Sequence, residues 1–329
     1  MARAWSLKSR PDGMPLTGDF EMVDLPHAPL AEGEVRIANH WLSVDPYMRG
    51  RMNDVKSYAP PFQLGEAMHG GAVGEVVESR ADGFAVGDMV QHMFGWRDEA
   101  VVPVAFIQKL PALGVPPQAF LGQLGMPGMT AYFGLLTVAE AKAGETVFVS
   151  AAAGAVGSTV IQIAKAKGMT VIGSAGGSSK CNWCQSLGAD VMIDYKKDGS
   201  LVKKLHDAAP QGIDVYFDNV GGEHLDAALA SANLHARFAI CGMIDAYNSG
   251  QPTELRYLLR VIAARIRIQG FLVSDYMAQA ADFYREMGAL LQAGKLQSEE
   301  TVFEGLDAMP EAFLGLFSGG NTGKMLVKI

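Results

Sequence analysis

The sequence predicts an α/β protein of two domains, a partly open β-barrel followed by a doubly wound parallel sheet. Three observations carry that prediction. The first 120 residues read as strands and turns, with no helical period of any length. From residue 126 strand-like and helix-like runs alternate, the pattern of a parallel sheet covered by helices. Within that alternation, residues 145–175 (ETVFVSAAAGAVGSTVIQIAKAKGMTVIGSA) spell a strand, a small-residue turn, a helix and a strand, one complete βαβ unit.

In chain order, the β-rich part has strand-like runs at 33–42 (GEVRIANHWL), 71–78 (GAVGEVVE) and 88–93 (DMVQHM), with turn signals at 11–13, 59–61 and 81–83. A helix-like run covers 126–141. Thr146 to Val149 is a strand, and Val156, Val160, Ile161 and Ala164 give a helical period that stops at Gly168. Strands follow at 170–172, 191–194, 213–218, 237–241 and 266–273, and helices at 201–208, 221–232 and 276–293. The tail holds a short strand near Thr301, the segment 310–317 and a strand at 324–329. Returning that tail to the first domain is the simplest way to give its strands partners. The expected division is 1–125 with 300–329, the β-rich domain, and 126–299, the parallel-sheet domain.

The turn of the βαβ unit fits the dinucleotide fingerprint G-x-G-x-x-G with its first glycine replaced, as Ala152, Gly154 and Gly157. Gly154 lets backbone N–H groups approach a pyrophosphate, and Gly157 lets helix and strand pack closely. The helix N-terminus adds orphan donors and the positive end of a dipole. Where an NAD site carries Asp or Glu, roughly 20 residues on, this chain has Gly173, Ser174, Ala175, Gly176 and Gly177. Ser178, Ser179 and Lys180 follow, two hydroxyls and a cation at a helix start, which suits a dianionic phosphate. The reading is NADP(H) rather than NAD(H); the bland alternative is a helix cap beside a solvated lysine.

Composition bounds the rest. The chain has 329 residues, 49% of them hydrophobic, enough for two cores. A net charge of −8 leaves no basic footprint for nucleic acid or acidic membrane. The start, MARAWSLKSRPDG, has no apolar secretory segment, so a cytoplasmic protein is expected. Cys181, Cys184 and Cys241 are too few for a disulfide framework. The Cys181/Cys184 pair has no second pair to complete a zinc site and is expected to pack against its domain.

Seven strings then point to one family: LSVDPYMRGRM from Leu42, GMPGMTAYFGLL from Gly125, AAAGAVGS from Ala151, YFDNVGGE from Tyr216, CGMIDAYN from Cys241, GFLVSDY from Gly270 and GGNTGK from Gly319. In these, spread over nearly the whole chain, the sequence resembles the zinc-independent branch of the medium-chain dehydrogenase/reductases that contains prostaglandin reductase, alkenal double-bond reductases and curcumin reductases. The resemblance implies a GroES-like barrel, a Rossmann domain, NADPH as hydride donor, and reduction of the carbon–carbon double bond of α,β-unsaturated aldehydes or ketones. It implies that Ala153, Gly154, Ala155 and Val156 meet the pyrophosphate, that Lys180 and Tyr195 hold the 2′-phosphate region, and that Asn219 serves the ribose side; Gly157 and Ser179 join this cofactor set from the turn and helix-start reading above. Cys241, Gly242, Met243 and the chain on to Tyr247 run under the nicotinamide; Phe271, Leu272 and Val273 approach its carboxamide, and Asn321 closes on the cofactor from the tail. A homodimer through an edge strand near 265–271 is implied as well. His69, where many relatives carry an apolar residue, and the 249–265 segment are departures that bear on substrate.

Hydride adds to a conjugated double bond only if charge developing on the carbonyl oxygen is stabilised by a positioned donor. A tyrosine hydroxyl donates without titrating at neutral pH, and Tyr247 has this part in the family. Tyr47 and Trp96 are candidates to line the substrate pocket, although aromatics in a barrel are more often core. Asp45, Glu66 and His69 make no convincing metal set, and the ligands of zinc alcohol dehydrogenases are absent. Two competing functions stand beside enone reduction: quinone reduction on the same fold and cofactor, and a non-catalytic NADPH-binding regulator.

Overall fold

In the computed structural model, which describes Met1–Ile329, the chain forms two units, Met1–Leu121 with Glu300–Ile329, and Gly122–Glu299. The first begins with an antiparallel ribbon, β1 (Ala2–Leu7) on β2 (Phe20–Leu25). Strand β3 (Glu34–Ser43) leads to a single helical turn, α1 (Met48–Arg51), inside the YMRG motif. Strands β4 (Ala72–Ser79), β5 (Met89–His92), β6 (Glu99–Pro103) and β7 (Ile107–Lys109) complete the antiparallel part. β3 pairs with both β4 and β6, and β5 joins β4 to β7. Val35, Ile37, Val76, Val90, Ala100 and Val102 from these strands close one core. The three strands expected here are present. β1, β2, β6 and β7 were not foreseen, because their polar and apolar residues do not form long bounded runs.

In the second unit α2 (Met126–Phe133) passes into a π turn at Gly134, where the rings of Phe217 and Phe271 leave no room for a Cβ. Then come β8 (Thr146–Val149), α3 (Ala155–Ala166), β9 (Thr170–Ala175), α4 (Ser178–Ser186), β10 (Val191–Asp194), α5 (Leu201–Ala208), β11 (Ile213–Asp218) and α6 (Gly222–Ser231). β12 (Ala232–Ile240), α7 (Arg260–Ala263), β13 (Arg267–Gly270) and α8 (Ala280–Gln292) follow. The six strands form one parallel sheet in the order β10-β9-β8-β11-β12-β13. Phe148, Ile172, Tyr216 and Phe238 cover one face of it with Leu201, Leu205 and Leu225 from α5 and α6.

Several sequence expectations shift at their ends: β9, expected over 170–172, runs on to Ala175, and the helix expected over 126–141 is regular only to Phe133. β12 starts five residues early, because His235 at φ +63° marks an irregularity where the register against β11 jumps and the alternation is lost. The strand expected over 266–273 is only Arg267–Gly270, and the long helix begins at Ala280, since Val273–Gln279 winds as a tighter 3-10 turn. The tail supplies β14 (Glu300–Glu304), α9 (Met309–Ser318) and β15 (Lys324–Lys328). β15 runs antiparallel to β3 and parallel to β14, so the C-terminus completes the first unit's sheet. No helix is long and apolar enough to cross a membrane.

Candidate cofactor and substrate site

β8 ends at Val149, and the turn to α3 is made with Ala151 at φ +45°, a strained position for a residue with a Cβ. Gly154 caps α3 in an extended conformation, with no side chain over the helix end and no acid in the first turn. A Cβ on Gly157 would lie 2.4 Å from the Ala151 carbonyl oxygen and 2.8 Å from Ala152 Cα, so the helix packs on its own turn only because this residue is glycine. The orphan N–H groups of the first turn and the positive dipole end are therefore presented without a competing anion. A pyrophosphate fits this cradle. Ala153, Gly154, Ala155, Val156 and Gly157 stand on it together.

The neighbouring strand ends are tied to one another. Asn219 donates its backbone N–H to Ser150 Oγ (2.9 Å) and its amide to the Ser150 carbonyl (2.8 Å). The carboxylate of Asp218 accepts from Tyr216 Oη (2.7 Å), Val220 N (2.9 Å), Gly221 N (2.8 Å) and Ser150 Oγ (3.1 Å). Burial raises the Asp218 pKa, and these donors oppose it.

At the end of β9, Ser174 is wholly buried with its hydroxyl unpartnered, and Gly177 at φ +101° turns the chain into α4. Ser179 and Lys180 lie in the first turn of that helix, Ser179 exposed and Lys180 half-buried. Burial lowers the Lys180 pKa, Lys196 lowers it further, and Cys184 opposes them. Asp194, the carboxylate that ends β10, faces backbone instead of competing for a phosphate: it accepts from Gly177 N (2.9 Å) and Lys196 N (3.1 Å). The first of these bonds leads the causes that hold its pKa down. Tyr195 is 40% exposed, and its ring meets His224 edge-on at 5.2 Å. Lys196, which the sequence reading did not single out, also comes close to this region. Parallel pairing of β9 with β10 is what brings the residues after Asp194 beside those after Ala175.

The segment after β12 is fixed by Cys241 N and Gly242 N, which donate to the Asp218 carbonyl (2.9 and 3.1 Å). Tyr247 ends the short turn Ile244–Ala246, and its hydroxyl accepts from Met243 N at 3.3 Å. A Cβ on Gly242 would stand 3.1 Å from that hydroxyl, so the phenol lies directly over this backbone. Phe271, Leu272 and Val273 follow β13, and the Phe271 ring packs edge-on against Phe217 at 6.3 Å. Burial raises the Cys241 thiol to about 12.

In the first unit Tyr47 is partly buried, with its hydroxyl unpartnered and its pKa raised by burial and then by Asp45. Asn321 is half-buried and donates to the Gly323 carbonyl at 2.8 Å. Lys324, wholly inside, bonds Asp45 Oδ1 at 3.1 Å and thereby joins the motifs DPYMRG and GGNTGK from opposite ends of the chain. Trp96 does not line a pocket. It is fully buried, stacked on Phe20 at 5.6 Å, edge-on to Phe313 at 5.8 Å, and bonded to Met48 Sδ at 3.3 Å, so it is core. His69 packs edge-on against Phe94 at 5.2 Å, and burial, Arg97 and Arg51 lower its pKa to about 4, which keeps it neutral at pH 7. No three His, Cys, Asp or Glu side chains gather as a metal site anywhere in the chain.

A cavity of about 590 Å³ opens at the N-terminal turns of α5 and α6. Its lining includes Glu223, Asp226, Asp245 and Glu254 with Arg256; it meets the segment before Tyr247 at Asp245 and Ala246 but contains no residue of the α3 cradle or of the Lys180 region.

Residues 3–110 match the family described as the N-terminal domain of oxidoreductase, and residues 155–293 the one described as zinc-binding dehydrogenase. The chain is 42% identical to the NADPH-dependent curcumin reductase of Escherichia coli (99% of this chain, 96% of the relative) and 41% identical to mouse prostaglandin reductase 1 (99% of each). The solved structure of CurA in complex with NADPH from Vibrio vulnificus superposes with a TM-score of 0.94 at 40% identity, over 99% of this chain and 98% of that one. The chain belongs to the medium-chain dehydrogenase/reductases, in the branch of the prostaglandin, alkenal and curcumin reductases.

Proposed function

We propose that this protein reduces the carbon–carbon double bond of α,β-unsaturated aldehydes and ketones with NADPH. The observation that carries the proposal is the Tyr247 hydroxyl, held over the backbone of residues 242–243 by the Met243 N–H. Bound NADPH supplies the hydride. The α-carbon takes its proton from Tyr247 or from water, and the chain's own residues hold the reactants and steady the developing charge. The first turn of α3 holds the pyrophosphate, Lys180 and Tyr195 the 2′-phosphate, Asn219 the ribose side, and backbone groups of Phe271, Leu272 and Val273 the carboxamide. Tyr247 donates to the carbonyl oxygen as negative charge develops there; a hydroxyl that accepts from a backbone N–H keeps its capacity to donate. We assign the cofactor to the unit Gly122–Glu299, and substrate recognition, through Tyr47, to the unit that Asn321 also belongs to.

The protein is further proposed to be a homodimer. β13 ends the parallel sheet as an exposed edge strand, and Leu259 and Ile262 just before it are 80% and 77% exposed. Three free cysteines support a reducing, cytoplasmic setting. The test of the activity is NADPH oxidation with a 2-alkenal, a curcumin-like dienone and a quinone, with NADH in parallel. Turnover of the alkenal or dienone with a strong preference for NADPH is expected. Turnover of the quinone alone, or cofactor binding with no turnover of any substrate, overturns the proposal.

A further inference from the structure

We propose that Lys196 is a second cation for the adenosine 2′-phosphate and, with Lys180, sets the preference for NADPH over NADH. The inference rests on the cofactor reading above and adds a residue to it. Gly176 stands at the end of β9, in the stretch where an NAD site carries its acid. A Cβ there would lie 2.9 Å from Lys196 Cε and 2.9 Å from the Tyr195 hydroxyl. The stem of Lys196 and the phenol of Tyr195 thus converge on the space that glycine leaves open. Lys180 enters the same region from the first turn of α4, and it senses the charge of Lys196.

Two ammonium groups brought together repel, and that arrangement costs free energy in the absence of an anion. The nearest strand-end carboxylate, Asp194, turns its oxygen to backbone, accepting from Gly177 N and from the backbone N–H of Lys196 itself. The other basic residues nearby are differently placed. Lys204 donates to the carbonyls of Asp194 and Lys197, and Lys197 and Asp198 are exposed on the following loop. A cation beside a tyrosine hydroxyl, with a second cation at the neighbouring helix start, in a chain of net charge −8, is matched to a phosphate dianion and not to a ribose hydroxyl.

The experiment is calorimetric titration of Lys196→Met, Lys180→Met and Lys197→Met with 2′,5′-ADP and with 5′-AMP, alongside NADPH and NADH binding. Lys196 is exposed, so its replacement leaves the fold intact, and circular dichroism checks this. Lys196→Met is expected to weaken 2′,5′-ADP and NADPH by about fivefold to tenfold, allowing for solvent screening, with 5′-AMP and NADH unchanged. Lys197→Met should match the wild type. If Lys180→Met loses affinity and Lys196→Met does not, or if Lys196→Met weakens 5′-AMP equally, the inference fails and the NADPH reading stands. If the wild type binds 2′,5′-ADP no better than 5′-AMP, both fail together.

Discussion

The place proposed for Tyr247 in the chemistry depends on the backbone beneath it being fixed. Its hydroxyl accepts from Met243 N, and residues 241–242 are in turn held by the carbonyl of Asp218, whose carboxylate gathers the turn at 219–221. One positioned donor contributes about 2 to 4 kcal/mol to stabilising a developing oxyanion. Tyr247→Phe is therefore expected to lose tenfold or more in kcat while the Kd for NADPH, followed by fluorescence, stays within about twofold. Wild-type turnover in that variant would remove Tyr247 from the chemistry. At this scale the sequence was informative where spacing dictates geometry and silent where packing decides. Gly154 and Gly157 stand in the turn into α3, and Lys180 in the first turn of α4, the positions that their spacing suggested. Trp96 was not legible, because a tryptophan after a glycine reads the same whether it lines a pocket or stacks on Phe20. Lys196 was hidden for another reason: it reaches Gly176 across the sheet, and that meeting exists only once β9 and β10 are paired.

Among the elements, the turn from β8 into α3 is the one least able to absorb change. Gly157→Ala would drive a methyl group into backbone atoms at 2.4 and 2.8 Å, which cannot rotate away. Overpacking of this sort costs about 1 to 3 kcal/mol, and here it also displaces the phosphate cradle. A lower Tm together with weaker NADPH binding is expected. Gly288 in α8 is the counter-case, with nothing within 4 Å of a Cβ, so Gly288→Ala should raise stability by about 0.5 to 1 kcal/mol. Equal melting temperatures for the two variants would show that the turn has room after all. β8, β10, α5 and β11 stand in the structure at the bounds their apolar runs suggested, since each is a run with a clean start and stop. β12 and α8 are displaced because a bulge and a 3-10 turn obey local hydrogen bonding that no periodicity reveals.

For the molecule as a whole, the parallel sheet stops at β13. β13 is exposed along its whole length, and an edge with unpaired backbone groups and apolar neighbours invites a second copy. Light scattering on the purified chain is expected to give twice the 35.1 kDa of one chain, and a mass of one chain across concentrations would refute the dimer. Asp45 with Lys324 does the corresponding work inside the first unit, where the tail strand β15 is laid against β3 and locked by a buried ion pair. That pairing was anticipated from the need of the tail strands for partners, whereas the ion pair was not, because its two residues lie in motifs far apart in sequence.

The three thiols take on a particular meaning in a protein that handles activated olefins. Such compounds alkylate cysteine through its thiolate, and the reaction needs both ionisation and access. Cys181 and Cys184 are buried in α4, and burial raises the Cys184 and Cys241 thiols to about 12. At neutral pH both therefore remain protonated almost without exception. The fold thus withholds Cys181 and Cys184 from the electrophiles it is proposed to consume by burying them, and disfavours reaction at the partly exposed Cys241 by keeping its thiol protonated.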